Sequence, residues 1–132
     1  EKAGGEIQGV ETVLVVEDEP SLLQPVARML RKYGYRTLEA RNAGEALLIC
    51  EKNEEPIEVL LTDMVMPRMD GREMAGRLID LHPEMKILFM SGYPGHSVAS
   101  RGLMKGEIEF IAKPFSAQEL AAKVREVLDK KL

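Results

Sequence analysis

The feature that most constrains this chain is a pair of apolar runs without alternation, Val13-Leu14-Val15-Val16 and Val59-Leu60-Leu61. A strand with one wet face alternates apolar and polar side chains, whereas a strand covered on both faces is apolar throughout. Such strands belong to a parallel sheet between layers of helices. Counting the less uniform runs, five strands are expected, at Thr12–Val16, Arg36–Ala40, Val59–Thr62, Ile87–Met90 and Glu109–Ala112.

The segments between them carry helical spacing. Leu22, Val26, Met29, Leu30 and Tyr33 fall on one helical face. So do Ala43, Ala46, Leu47 and Cys50, then Met74, Ala75, Leu78 and Ile79, and finally Leu120, Ala121, Val124, Val127 and Leu128. Asn42…Glu45, Asp70…Glu73 and Ser116…Glu119 have the spacing of capping boxes. Interior proline costs about 3 kcal/mol, so Pro25 places the start of the first helix near Ser21. The segment Pro94–Gly106 is a poor helix: it holds Gly95, Gly102 and Gly106, each interior glycine costing about 1 kcal/mol. A short, marginal helix is expected there, read either as an unoptimised surface helix or as a segment kept near a two-state balance. Alternating strands and helices imply an α/β, flavodoxin-like doubly wound (βα)5 fold, with a five-stranded parallel sheet of order 2-1-3-4-5 and helices on both faces.

Composition narrows the function. The 132 residues suit one domain. Glycines 4, 5 and 9 mark residues 1–11 as a linker or an expression remnant, leaving 12–132 as the domain. A chain opening on Glu1 rather than Met is expected of a piece of something longer. With 18 basic and 22 acidic residues the net charge is −4, which argues against nucleic-acid binding by this domain. No apolar run reaches membrane-spanning length, so no membrane contact is expected of it. The single cysteine, Cys50, forms no internal disulfide and suits a cytoplasmic setting.

In doubly wound sheets, ligands bind beyond the carboxyl ends of the strands. Those ends here carry Glu17-Asp18-Glu19, Asp63, Ser91 and Lys113. Taken singly, each has a plain reading: Asp18 as a helix cap, Glu17 as a solvated strand end, Asp63 and Ser91 as turn residues, Lys113 as a surface lysine. Taken together, Glu17, Asp18 and Asp63 repel one another unless a cation sits among them, and oxygen ligands of this kind suit Mg²⁺. A cation, an ammonium and a hydroxyl together form a place for a phosphoryl group. With no Ser-His or Cys-His pair at hand, the nucleophile is a carboxylate, and Asp63 fits.

The stretches Val13–Glu19 (VLVVEDE), Leu61–Gly71 (LTDMVMPRMDG), Phe89–Tyr93 (FMSGY) and Phe110–Phe115 (FIAKPF) together resemble the response-regulator receiver domains of two-component signalling, over about residues 12–131. The resemblance implies that Asp63 is the phospho-acceptor, taking a phosphoryl group from a phosphohistidine and catalysing its own phosphorylation and dephosphorylation. It implies Mg²⁺, with Mn²⁺ as a substitute, held by Asp18, Asp63 and the Val65 backbone carbonyl, with Glu17 acting through water. Lys113 would pair with Asp63 and then with the phosphoryl oxygens, Ser91 would turn its hydroxyl toward them, and Phe110 would be the aromatic switch. The Lys113–Pro114 bond would be cis. Tyr93 and Val65 would form the rim of the site and slow hydrolysis. Where the family often has Asp, Thr and Tyr, this chain has Glu17, Ser91 and Phe110.

The implied partners are a histidine kinase or a histidine phosphotransfer domain. The surface of the fourth helix, fifth strand and fifth helix would carry the output and could also self-associate. The opening VLVVEDE and the MSGY pattern resemble receivers at the C-terminus of hybrid histidine kinases; a stand-alone response regulator and a phosphate-silent binding module of the same fold stay open as alternatives. A haloacid-dehalogenase-type phosphatase would want an aspartate at position 65, where this chain has Val65. A flavodoxin would not place three acids in its phosphate loop, and no P-loop pattern occurs. Neither His82, at a helix end before Pro83, nor His96, in a Gly/Pro-rich stretch, looks like a phosphodonor.

Overall fold

The computed structural model describes residues 8–66, 69–91 and 109–130. In chain order the elements are β1 (Thr12–Val16), α1 (Pro20–Lys32), β2 (Arg36–Ala40), α2 (Ala43–Lys52), β3 (Val59–Asp63), the two-residue strands β4 (Val65–Met66) and β5 (Met69–Asp70), α3 (Gly71–Leu81), β6 (Lys86–Ser91), β7 (Glu109–Ala112) and α4 (Ala117–Asp129). The main sheet runs β2-β1-β3-β6-β7, every pair parallel, which is the order 2-1-3-4-5 when its own strands are counted. The short antiparallel ladder β4–β5 was not foreseen from sequence. The segment Pro94–Gly106, with His96 and Tyr93, lies outside the described residues.

Strand alternation divides the core in two. Leu14, Val16, Leu60 and Phe89 face Ala46 and Cys50 of α2 and Met74, Ala75 and Leu78 of α3. Val13, Val15, Leu61, Leu88 and Met90 face Leu23, Val26 and Leu30 of α1 and Leu120, Val124 and Val127 of α4. Two helices therefore cover each face, which is why Val13–Val16 of β1 and Val59–Leu61 of β3 are continuously apolar. No helix among the described residues is long and apolar enough to cross a membrane.

Helix ends follow local chemistry with two departures. The α1 helix starts one residue earlier than expected, with Pro20 at its first turn, where a missing amide is harmless. Pro25 sits inside the helix, and the packing of Leu23, Val26, Ala27 and Leu30 offsets the lost hydrogen bond. Ser116 and Glu119 form the full reciprocal capping box of α4, at 3.0 and 2.8 Å. At α2, Asn42 accepts from the Glu45 amide at 2.8 Å, but the Glu45 carboxylate reaches past the cap to the Arg41 amide. The Asp70 side chain lies outside what is described.

At the pole where the strands begin, the chain before β1 is strapped to the last helix. The Gly9 amide donates to the Tyr33 carbonyl at 3.1 Å, and a Cβ on Gly9 would meet the Tyr35 ring at 2.4 Å. Gly34, at φ +98°, turns the chain so closely that a Cβ would lie 2.5 Å from the Gly9 carbonyl. Arg125 of α4 donates to both Glu11 oxygens, at 3.2 and 2.9 Å, and to the Gln8 carbonyl at 3.1 Å. Close by, Lys86 at the start of β6 donates to the Leu128 carbonyl at 3.2 Å and to that of Lys130.

Candidate functional site

The opposite pole gathers the acidic side chains. Glu17 follows β1, Asp63 ends the neighbouring β3, and Lys113 follows the edge strand β7. Carboxylate oxygens of Glu17, Asp18 and Asp63 lie within 4.8 Å of one another. The Lys113 ammonium stands 3.4 Å from Asp63 Oδ2 and 3.6 Å from Glu17 Oε1. Hence four of the residues expected from sequence to form one site do meet. The Lys113–Pro114 peptide is cis.

Burial sets Glu17 apart from Asp18 and Asp63. Glu17 is 1% exposed, while the Asp63 side chain keeps 20% of its surface open to solvent. Glu17 lines a small cavity together with Val26, Met90 and Phe115. Its Oε2 accepts from the Glu19 amide at 3.2 Å, but its Oε1, although buried, accepts no hydrogen bond. Burial pushes the Glu17 carboxyl up to about 7, with the Asp63 charge adding to the shift and the Glu19 amide and Lys113 opposing it. One ammonium among three carboxylates leaves two charges uncompensated. A divalent cation would balance them, and the unpartnered Glu17 Oε1 could be met by water in its coordination shell, so the donor set fits Mg²⁺, a hard ion that prefers oxygen.

Ser91 ends β6 and is buried. Its carbonyl accepts from the Lys113 amide at 2.9 Å, tying the serine and lysine strand ends together. Phe110 is half-buried, its ring centroid 5.7 Å from that of Phe89 and tilted by 30°. Val65 opens the short ladder directly after Asp63–Met64; its side chain, like Tyr93, lies outside what is described.

Sequence reasoning missed two residues beside Asp63. Gly71 starts α3 so close to the end of β3 that a Cβ would meet the Asp63 carbonyl oxygen at 2.4 Å. Thr62 is fully buried and donates its hydroxyl to that same carbonyl at 2.9 Å. The glycine closing MDG, just where a helix starts, was the available signal for the first.

Comparison with known proteins agrees with this architecture. The family model described as "Response regulator receiver domain" matches residues 13–125. The chain is 37% identical over 125 residues to the sensor kinase CckA of Brucella abortus, covering 95% of this chain but only 13% of that protein. It is 29% identical over 119 residues to the response regulator receiver protein CpdR of the same organism, covering 90% of this chain and 98% of the relative. Among solved structures, the receiver domain of the hybrid histidine kinase CckA superposes with a TM-score of 0.74 at 33% identity, over 89% of this chain and 99% of that one. A receiver domain protein from Clostridium thermocellum gives 0.80 at 28% identity, covering 91% of this chain and 95% of that one. With the sheet order and the matched span in agreement, the chain belongs to the response regulator receiver domain family.

Proposed function

We propose that the chain is a phospho-accepting receiver and that Asp63 takes a phosphoryl group from the phosphohistidine of a histidine kinase or a histidine phosphotransfer domain. The observation that carries this reading is the placement of Asp63 Oδ2 3.4 Å from the Lys113 ammonium, within a cluster of acidic oxygens fit for a cation. A carboxylate oxygen of Asp63 forms the new O–P bond as the P–N bond to the histidine breaks, and the imidazole leaves with that electron pair and takes up a proton. Lys113 offsets charge on the phosphoryl oxygens, and the Ser91 hydroxyl turns toward them. Asp18, Asp63 and the Val65 carbonyl would hold Mg²⁺ directly, with Glu17 acting through water; Mn²⁺ is expected to substitute. When bound, the ion supplies positive charge for the transferring group.

Phosphorylation adds about 1.5–2 negative charges at one point. In this reading Ser91 moves toward that charge and Phe110 rotates inward. The surface around segment 94–106, β7 and α4 then changes by population shift. That surface is the place for an output partner or a second copy of the chain. Tyr93 and Val65 would screen attacking water. Similarity to the CckA receiver favours a cytoplasmic domain that works as part of a hybrid sensor kinase. The test is intact mass after incubation with a small acyl phosphate. A single Mg²⁺-dependent phosphoryl adduct, absent from Asp63→Asn, is expected; a folded protein that takes no adduct from either this donor or a phosphohistidine protein would overturn the reading.

A further inference from the structure

The β3 strand reads Val-Leu-Leu-Thr-Asp, and Thr62 brings a hydroxyl into an otherwise apolar, fully buried run. Valine would fill the same space without a polar group to satisfy, and a buried hydroxyl is costly unless it is hydrogen-bonded. Thr62 Oγ1 spends its proton on the carbonyl oxygen of the next residue, Asp63, at 2.9 Å. Gly71 closes on that oxygen from the start of α3, leaving no room for a Cβ, which would sit 2.4 Å away. The Gly71 amide donates to the Met64 carbonyl at 2.8 Å, and the Met64 amide to the Met90 carbonyl at 3.4 Å. The Asp63–Met64 peptide is thus held at its carbonyl, at its amide and at the carbonyl that follows.

We propose that Thr62 and Gly71 are positioning residues for Asp63: by fixing the Asp63–Met64 peptide they aim the carboxylate at Lys113 and at the cation position. The inference rests on the phospho-acceptor reading of Asp63. The direction of a Cα–Cβ bond follows from its backbone, so a rotated peptide swings the carboxylate away from its partners. Misplacing a reacting group by about 1 Å can cost on the order of 10²-fold in rate. Neither residue touches the phosphoryl group, so both act through Asp63.

The test compares the wild-type chain with Thr62→Val, Thr62→Ser and Gly71→Ala. Three quantities are read: phosphorylation rate with acetyl phosphate by intact mass, Mg²⁺ affinity by calorimetry, and Tm. Thr62→Val is expected to phosphorylate about tenfold more slowly and to bind Mg²⁺ about threefold more weakly at nearly unchanged Tm, while Thr62→Ser stays within about twofold of wild type. Gly71→Ala is expected to lose more of both; if it does not fold, the threonine pair decides alone. Wild-type rate and Mg²⁺ affinity in Thr62→Val, or equal losses in the valine and serine variants, would overturn the proposal. If the wild-type chain takes no phosphoryl group, the acceptor reading fails, and the Mg²⁺ affinities of the same variants still decide whether the pair positions Asp63.

Discussion

Lys113 reaches Asp63 across the end of the sheet, Nζ to Oδ2 3.4 Å, from a strand that is not its neighbour in the ladder. This pairing brings a positive charge to the carboxylate without a backbone link between β3 and β7. Lys113→Ala should therefore leave the fold intact and slow phosphorylation by a small acyl phosphate about 10²-fold, the scale for removing one group that stabilises transferring charge. The check is the adduct rate by intact mass beside the melting curve; an unchanged rate would remove Lys113 from the chemistry.

Glu17 gives the cation-free protein a particular pH response. Its folded value, pushed to about 7 by burial, lies above the ordinary 4.5, so the folded chain holds this proton where the unfolded chain has lost it. Its contribution to stability is present below about 4.5 and is lost as pH rises toward 7. In the presence of a chelator, Glu17→Gln should raise Tm at pH 7.5 and have little effect at pH 4.5. Added Mg²⁺ should raise the Tm of wild type more than that of the variant. Thermal melts at both pH values with and without the ion decide this.

The Arg125–Glu11 pair should respond in the opposite sense. The guanidinium hydrogen bonds hold the Glu11 carboxyl below its usual 4.5, against the smaller opposing effect of burial. A depressed folded value gives stability that is present above 4.5 and lost as pH falls through the folded value. The pair is partly exposed, so the gain is modest: Glu11→Gln should cost about 1 kcal/mol at pH 7, or roughly 3–5 °C in Tm, and progressively less as pH falls below 4.5. Urea unfolding of the two proteins at pH 7, 5 and 3 would show the difference closing.

Cys50 should be chemically silent in the native protein. It is buried between α2 and the sheet, and burial pushes its thiol up to about 11, so little thiolate exists near neutrality. An aromatic disulfide reagent at pH 8 should modify it at least about 10²-fold more slowly in buffer than in urea. Rapid labelling of the folded chain would show that the α2 layer opens readily.

Much of this architecture is legible in the sequence because its strands announce themselves. Each of the five sheet strands lies within one residue of its expected run, and in Val13–Val16 and Val59–Leu61 double-sided burial leaves no polar position to confuse the pattern. Glu17, Asp18, Asp63 and Lys113 could be grouped before any coordinates, because strand order dictates which strand ends are neighbours. The β4–β5 ladder was not legible: two residues a side leave no periodicity to read. Pro25 shows a local penalty overruled by packing, and Glu45 shows a cap whose carboxylate reached one residue further than its spacing implies. Gly9 reads as linker composition, yet its lack of a side chain is what lets the backbone lie against Tyr35. Thr62 stayed hidden because a strand's apolar pattern says nothing about a hydroxyl aimed at its own backbone.

The strap at the strand-start pole also sets the domain's polarity. Gln8 is held to α4 through Arg125, and the Lys130 carbonyl to the first residue of β6 through Lys86, so both ends of the stretch from residue 8 to residue 130 lie at one pole of the sheet. The acidic cluster occupies the other end, a strand's length or about 17 Å away. Gln8 and Lys130 therefore lie on one hemisphere of the domain and the Glu17–Asp18–Asp63 cluster on the other.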